Sequence, residues 1–412
     1  MTSSLALVFT ALGLGTASSA SGGEWPQILG PERNGHAQDE SIVDHFPAGG
    51  PTVVWEREVG SGLAGLAVAA DTAVVFHRVD DQEVVEALDP VTGKPRWKAG
   101  FAVEYVPTFT DDNGPRCVPL IRDGRVYLFG VRGGLRCLNL ETGDVVWSRE
   151  THREFDAPEG YFGAGSTPII AGDRLLVNVG GRQTGSGVVA FELATGRTAW
   201  KSVADQASYS SPAAATVDGV RHVIFVTRLR TVSLNPDDGS VRFEFPFGQR
   251  GPTVNAASPL ILDGHLFVTA HYGVGAVSAK IGRSAAETVW SSDDVLSSHY
   301  ATPVAIGGKL YGIHGQERVD VAELRCIDPR TRTVHWTRRD FGYGSLIAAD
   351  GKLLALLTDG DLVIVRPDPS GYREAGRARL FETTARALPA LAGGRLYARD
   401  EREVKCIDLR RP

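Results

Sequence analysis

Ala87-Leu88-Asp89-Pro90-Val91-Thr92-Gly93-Lys94-Pro95-Arg96-Trp97 decides the fold of this chain, because the chain says it again. Close copies read Cys137-Leu138-Asn139-Leu140-Glu141-Thr142-Gly143-Asp144-Val145-Val146-Trp147 and Ala190-Phe191-Glu192-Leu193-Ala194-Thr195-Gly196-Arg197-Thr198-Ala199-Trp200. Weaker copies run from Ser233 to Gly239 with Phe243, and from Cys326 to Arg332 with Trp336. A recurring phrase of this kind means that one supersecondary unit has been stacked many times.

A second phrase keeps phase with the first: Pro, an apolar run, a Gly or Asp turn, and a second apolar run. It occurs at Pro119–Tyr127, Pro168–Leu176, Pro259–Phe267, Pro303–Tyr311 and Pro389–Tyr397. Asp-Gly and Gly-Gly supply the positive φ angles of a two-residue hairpin, so this phrase is strand, tight turn, strand. The first phrase adds a third strand, a turn and a fourth strand carrying the Trp. Each unit is then a four-stranded meander of roughly 42–53 residues, the blade length of a β-propeller.

Hairpins near Asp71, Asp123, Gly172, Asp218, Asp263, Gly307, Asp350 and Gly393 give eight blades. The units at Asp218 and Asp350 are degenerate and leave seven as the alternative. The last unit stops at Cys406-Ile407-Asp408-Leu409 after a third strand, while Pro51-Thr52-Val53-Val54-Trp55-Glu56 reads as a fourth strand without its first three. Pairing these N- and C-terminal strands in one blade would close the ring and remove its exposed edges. The expectation is an all-β, eight-bladed β-propeller of antiparallel blades over 51–412, preceded by an extension over 21–50.

Residues 1–20 have a polar start, an apolar run from Leu5 to about Gly15 and small residues Ala17-Ser18-Ser19-Ala20. That is a signal peptide in outline and too short to span a bilayer, so a periplasmic or secreted protein without a transmembrane segment is expected. The formal net charge of −6, with Lys and Arg scattered, gives no footprint for nucleic acid or an anionic membrane. A monomer is expected. Cys137, Cys326 and Cys406 occupy one strand position whose equivalents are Ala87, Ala190 and Ser233, which predicts buried free thiols chosen for size.

Asp-x-x-Thr-Gly-x-x-x-Trp resembles the repeat of the quinoprotein-type, or PQQ-like, propeller family, and the resemblance runs from Thr52 to Leu409. That family includes PQQ-dependent alcohol dehydrogenases and non-catalytic relatives such as the BamB-type lipoproteins of outer-membrane protein assembly. The resemblance implies that Trp97, Trp147, Trp200, Trp290 and Trp336 stack between blades over the Gly turn, with Phe243 as a substitute. The segment Trp25-Pro26-Gln27-Ile28-Leu29-Gly30-Pro31-Glu32-Arg33-Asn34-Gly35 resembles one found ahead of the propeller in many secreted bacterial members. It is expected to pack irregularly, anchored by Trp25.

The dehydrogenases of that family imply PQQ, a divalent cation such as calcium, and often a disulfide of adjacent cysteines, which this sequence does not contain. Gly-x-Ser-x-Gly, a P-loop and a haem attachment motif are also missing from the sequence. What remains is one rim, shared by the loops that lead into first strands and those that leave second strands. Reading those loops collects Tyr161, Tyr209, Arg228, Arg230, His271, Tyr272, His299, Tyr300, His314, Gln316 and Tyr343. Rigidly held loops of this composition suit binding, and the three histidines lie on separate loops with no spacing that dictates zinc. The expectation is therefore a non-catalytic, exported scaffold that binds a protein or peptide partner, without cofactor or metal, in envelope or outer-membrane protein assembly. The alternative is a PQQ-dependent dehydrogenase of alcohols or sugars; a polysaccharide-binding propeller rests on the tyrosines and histidines alone.

Overall fold

The computed structural model describes residues 23–411, so the expected signal peptide lies outside the described residues. Eight sheets follow one another along the chain; seven have four strands and one has five. The innermost strands are short, as in Ala67–Ala69, Leu120–Arg122 and Ile169–Ala171. Their hairpins turn where the sequence places them: Asp123 and Gly124, for example, take φ of 50° and 67°, the mirror-image turn that matches strand twist. Eight blades, not seven, are present, and both degenerate units form complete sheets.

Closure occurs in the eighth blade. The strand Thr52–Glu58 pairs antiparallel with Glu403–Asp408, so the fourth strand of that sheet comes from the start of the propeller. In every blade the pairing of third and fourth strands shifts by one residue beside the Trp position. Such a bulge re-aims a side chain. Here the indole leans onto the next blade: Trp97 Nε1 donates to Leu140 O at 2.8 Å, Trp147 to Leu193 O at 2.9 Å and Trp200 to Pro236 O at 3.1 Å. Trp290, Trp336 and Trp55 do the same to Pro329, Asp368 and Pro90. A Cβ on Gly143 would lie 2.5 Å from the Trp97 ring, so the turn glycine is what lets the indole approach. Phe243 packs in one cluster with Ile281 of the following blade. The small residues Cys137, Cys326 and Cys406 pair with Trp147, Trp336 and Trp55, and all four cysteines are free and buried.

In the seventh blade the Trp position is Gly376, opposite Ile364. The vacancy is filled from elsewhere in the chain: Phe46 lies 3.1 Å from where a Gly376 Cβ would be, and is buried. Phe46 belongs to a segment that runs along the inner strands. Trp25 pairs with Val68, Pro26 O accepts from Ile121 N, and His36–Ala37 adds in parallel to Gly344–Ala349, making the five-stranded sheet. Arg33 is buried there and donates to Thr167 O, Pro168 O and Pro212 O at 3.0, 2.9 and 2.7 Å. Inner strands face the axis, so this segment fills the channel that a bare ring would leave open. Among the described residues no helix is long and apolar enough to cross a membrane.

Candidate functional site

The connections entering first strands and leaving second strands put the rim residues on one face, as connections on a rigid scaffold do, but they fall into two groups. The first lies over the fifth to seventh blades. His271, Tyr272, His299 and Tyr300 form a ladder with ring centroids 5.7, 5.5 and 5.3 Å apart. Its polar atoms are largely spent on one another. Tyr272 Oη and His299 Nε2 are 2.8 Å apart, Glu317 N donates to His299 Nδ1 at 3.3 Å, and Ser297 N donates to His314 Nδ1 at 3.0 Å. His271 Nε2 meets Asp320 Oδ2 at 2.9 Å, Tyr343 Oη donates to Asp320 O at 3.1 Å, and Gln316 N donates to Asp320 Oδ2 at 2.8 Å. Glu317 and Arg386 pair at 2.9 Å. Burial lowers His299 and His314 to about 4, so both are neutral near pH 7. Among the buried polar atoms of this group, Nδ1 of His271 and the hydroxyl of Tyr300 lack a hydrogen-bond partner.

The second group lies over the second to fifth blades and surrounds a pocket of about 550 Å³. Tyr161, Tyr209 and Arg228 line it; Arg230 does not, and instead pairs with Glu244 at 2.9 Å. Tyr209 Oη accepts from Phe162 N at 2.8 Å, and burial pushes its hydroxyl up to about 12. Tyr161 Oη donates to Gly251 O at 3.0 Å, and the Arg228 guanidinium reaches Gln249 O and Gly251 O at 2.8 and 2.6 Å. The two carboxylates on the pocket have internal partners. Glu159 meets Arg132 at 2.7 Å, while Asp205 accepts from Thr227 Oγ1 at 2.7 Å and Leu229 N at 2.9 Å.

Loop reading overlooked the floor of this pocket. Asn178 lies within the second strand of the third blade, Arg174–Gly181, and His152 lies on the helical turn Thr151–Glu154. Both line the pocket and both are buried. The available signal was Asn178 itself, a polar residue set between the apolar Leu175-Leu176-Val177 and Val179.

Residues 39–178 and 118–338 match the family described as outer membrane protein assembly factor BamB, which covers well over half of the chain. The chain belongs to this PQQ-like propeller family. Two solved structures share the fold. BamB from Moraxella catarrhalis superposes with a TM-score of 0.65 at 16% identity, over 87% of this chain and 99% of that one. The quinohemoprotein alcohol dehydrogenase ADHIIG from Pseudomonas putida HK5 superposes with a TM-score of 0.67 at 12% identity, over 94% and 80%. By sequence, 194 residues are 26% identical to a 1-butanol dehydrogenase (cytochrome c) of Thauera butanivorans, over 43% of this chain and 26% of that enzyme. The match thus spans about a quarter of the curated relative's length.

Proposed function

We propose that this propeller is an exported, non-catalytic scaffold that docks a protein partner on its loop face. The observation that carries this reading is the aromatic cluster beside the pocket. Phe109 is 60% exposed and stacks edge-on with Tyr161 at 5.2 Å and Phe162 at 6.4 Å, and Phe162 in turn meets Tyr209 at 5.6 Å. Val106, in the same loop, is 88% exposed, and Val319 across the face is 68% exposed. Exposed aromatics beside arginines are what interfaces are enriched in, and an apolar patch of this kind marks a contact site. Family membership alongside BamB supports a role in envelope assembly.

The dehydrogenase reading is favoured by the sequence match to the 1-butanol enzyme. It would need a cation held by carboxylate and amide oxygens next to the quinone. The pocket offers one unpaired amide oxygen, on Asn178, but its carboxylates fit that poorly: Glu159 is paired with Arg132, and Asp205 with Thr227 and Leu229 N. Two experiments separate the readings. A photo-crosslinker placed at Val106 should trap a discrete envelope protein that Phe109→Asp fails to trap. Stoichiometric retention of added PQQ and calcium through gel filtration, with dye reduction by alcohols, would overturn the scaffold reading.

A further inference from the structure

Asn178 breaks its own repeat. In each blade one residue of the second strand lies two places beyond the partner of the residue facing the Trp position. Five blades put Phe76, Phe129, Val226, Ile313 or Leu356 there. The other two polar occupants are held: Thr269 Oγ1 accepts from Ser298 N at 3.1 Å, and Arg399 donates to Asp400 O and Gly60 O at 3.1 and 2.7 Å, with only its Nη1 left over. Asn178 is 2% exposed, and neither its Nδ2 nor its Oδ1 has a partner. Five of the eight blades fill this position with an apolar side chain, so packing alone does not ask for an amide there. Burying one unpaired is costly, and such groups call for an explanation.

The pocket that Asn178 lines holds a second idle group. His152 is 9% exposed and its Nδ1 is unpartnered. Arg182, Arg228 and Arg250 also line the pocket, and among the described residues none of the three forms an ion pair, in a chain whose formal net charge is −6. Uncompensated guanidiniums select carboxylate. A carboxamide offers a donor and an acceptor side by side, which matches the N–H and C=O that one residue of an extended chain turns to the same side. The neighbouring rings of Tyr161, Phe162 and Tyr209 are spent on one another, edge to face. Recognition is left to amide, imidazole and guanidinium.

We infer that this pocket binds an extended peptide segment bearing a carboxylate, with Asn178 reading its main chain and Arg182, Arg228 and Arg250 its charge. The inference deepens the docking-face reading and rests on it. The carboxylate is either an acidic side chain or a chain end, and the same chemistry serves both.

The test is calorimetric titration of the full chain with four probes. They are an acetylated, amidated pentapeptide with a central glutamate, a neutral pentapeptide with a free C-terminus, a neutral amidated pentapeptide, and digalacturonate. Binding of the first identifies a side-chain carboxylate and of the second a chain end; either supports the assignment, provided the neutral amidated peptide binds at least about tenfold more weakly. Asn178→Leu, which copies Leu356 in the seventh blade, should weaken binding about tenfold or more. The Arg182→Gln/Arg250→Gln variant should do the same and remove most of the salt dependence. Thr269→Val, at the equivalent place in the fifth blade, should leave affinity unchanged. A melting temperature for each variant shows that it is folded.

Equal binding of the neutral amidated peptide, preference for digalacturonate, no binding of any peptide, or unchanged affinity in Asn178→Leu overturns the assignment. If crosslinking still depends on Phe109 in that case, the docking-face reading survives alone. If the peptides behave as expected but no partner depends on Phe109, the pocket stands and the docking face falls.

Discussion

The two halves of the loop face carry similar chemistry in opposite states. Over the fifth to seventh blades, histidines, tyrosines and carboxylates are dense and bonded largely to one another, with Nδ1 of His271 and the hydroxyl of Tyr300 left over. Over the second to fifth blades the groups are sparser, yet an amide is buried there with neither of its polar atoms bonded. On a repeat scaffold, density of functional side chains is therefore a poor guide to a binding site. A satisfied cluster is structure; an unsatisfied pocket is capacity.

Acid should test the contrast most strongly. His152, His299 and His314 are each lowered to about 4 by burial, against 6.5 in the unfolded chain. Between those values the unfolded chain binds protons that the folded one refuses, so stability falls as pH drops from 6.5 and levels off below about 4. Two of the three groups sit in the satisfied cluster. Melting temperature measured against pH should accordingly flatten more in His299→Gln/His314→Gln than in His152→Gln.

Next in size is Glu317→Ala. It strips Arg386 of its partner, beside the backbone N–H that holds His299, and should cost about 2 kcal/mol in denaturant unfolding. In the pocket the sign reverses. Asn178→Leu removes an unpaired buried amide and should stabilise by about 1–2 kcal/mol, the mark of a residue kept for something other than stability. A destabilisation there would mean that Asn178 is satisfied after all. Tyr272→Phe, which deletes only the hydroxyl facing His299, should cost about 1 kcal/mol, read as a small drop in melting temperature.

The parts of the fold that repeat were legible from the sequence. Turn chemistry at Asp123-Gly124 and its relatives fixed the hairpins, and the unpaired strands at Thr52 and Glu403 announced their own pairing. Phe46 could not be read this way, because its role exists only where Gly376 leaves a gap that becomes visible once the blades are docked. Rim loops were legible as a face, since strand direction dictates which connections share a side. The division of that face was not, because hydrogen-bond satisfaction is a property of neighbours brought together by the ring. Asn178 lies between these cases: it stood in plain sight as a polar residue in an apolar strand, but only the comparison with Phe76, Leu356 and Thr269 in register shows that it is out of place.

The seam in the eighth blade also imposes an order in time. Thr52 pairs with Asp408, and Ile42 bridges to Arg410, contacts that span almost the whole described chain. Contacts of such sequence separation form slowly, since a long loop must close before they return any free energy. Until the seam forms, the eighth sheet lacks its fourth strand and Glu403–Asp408 presents a bare edge. Closure of the ring therefore waits on the arrival of Glu403–Asp408 beside the strand at Thr52.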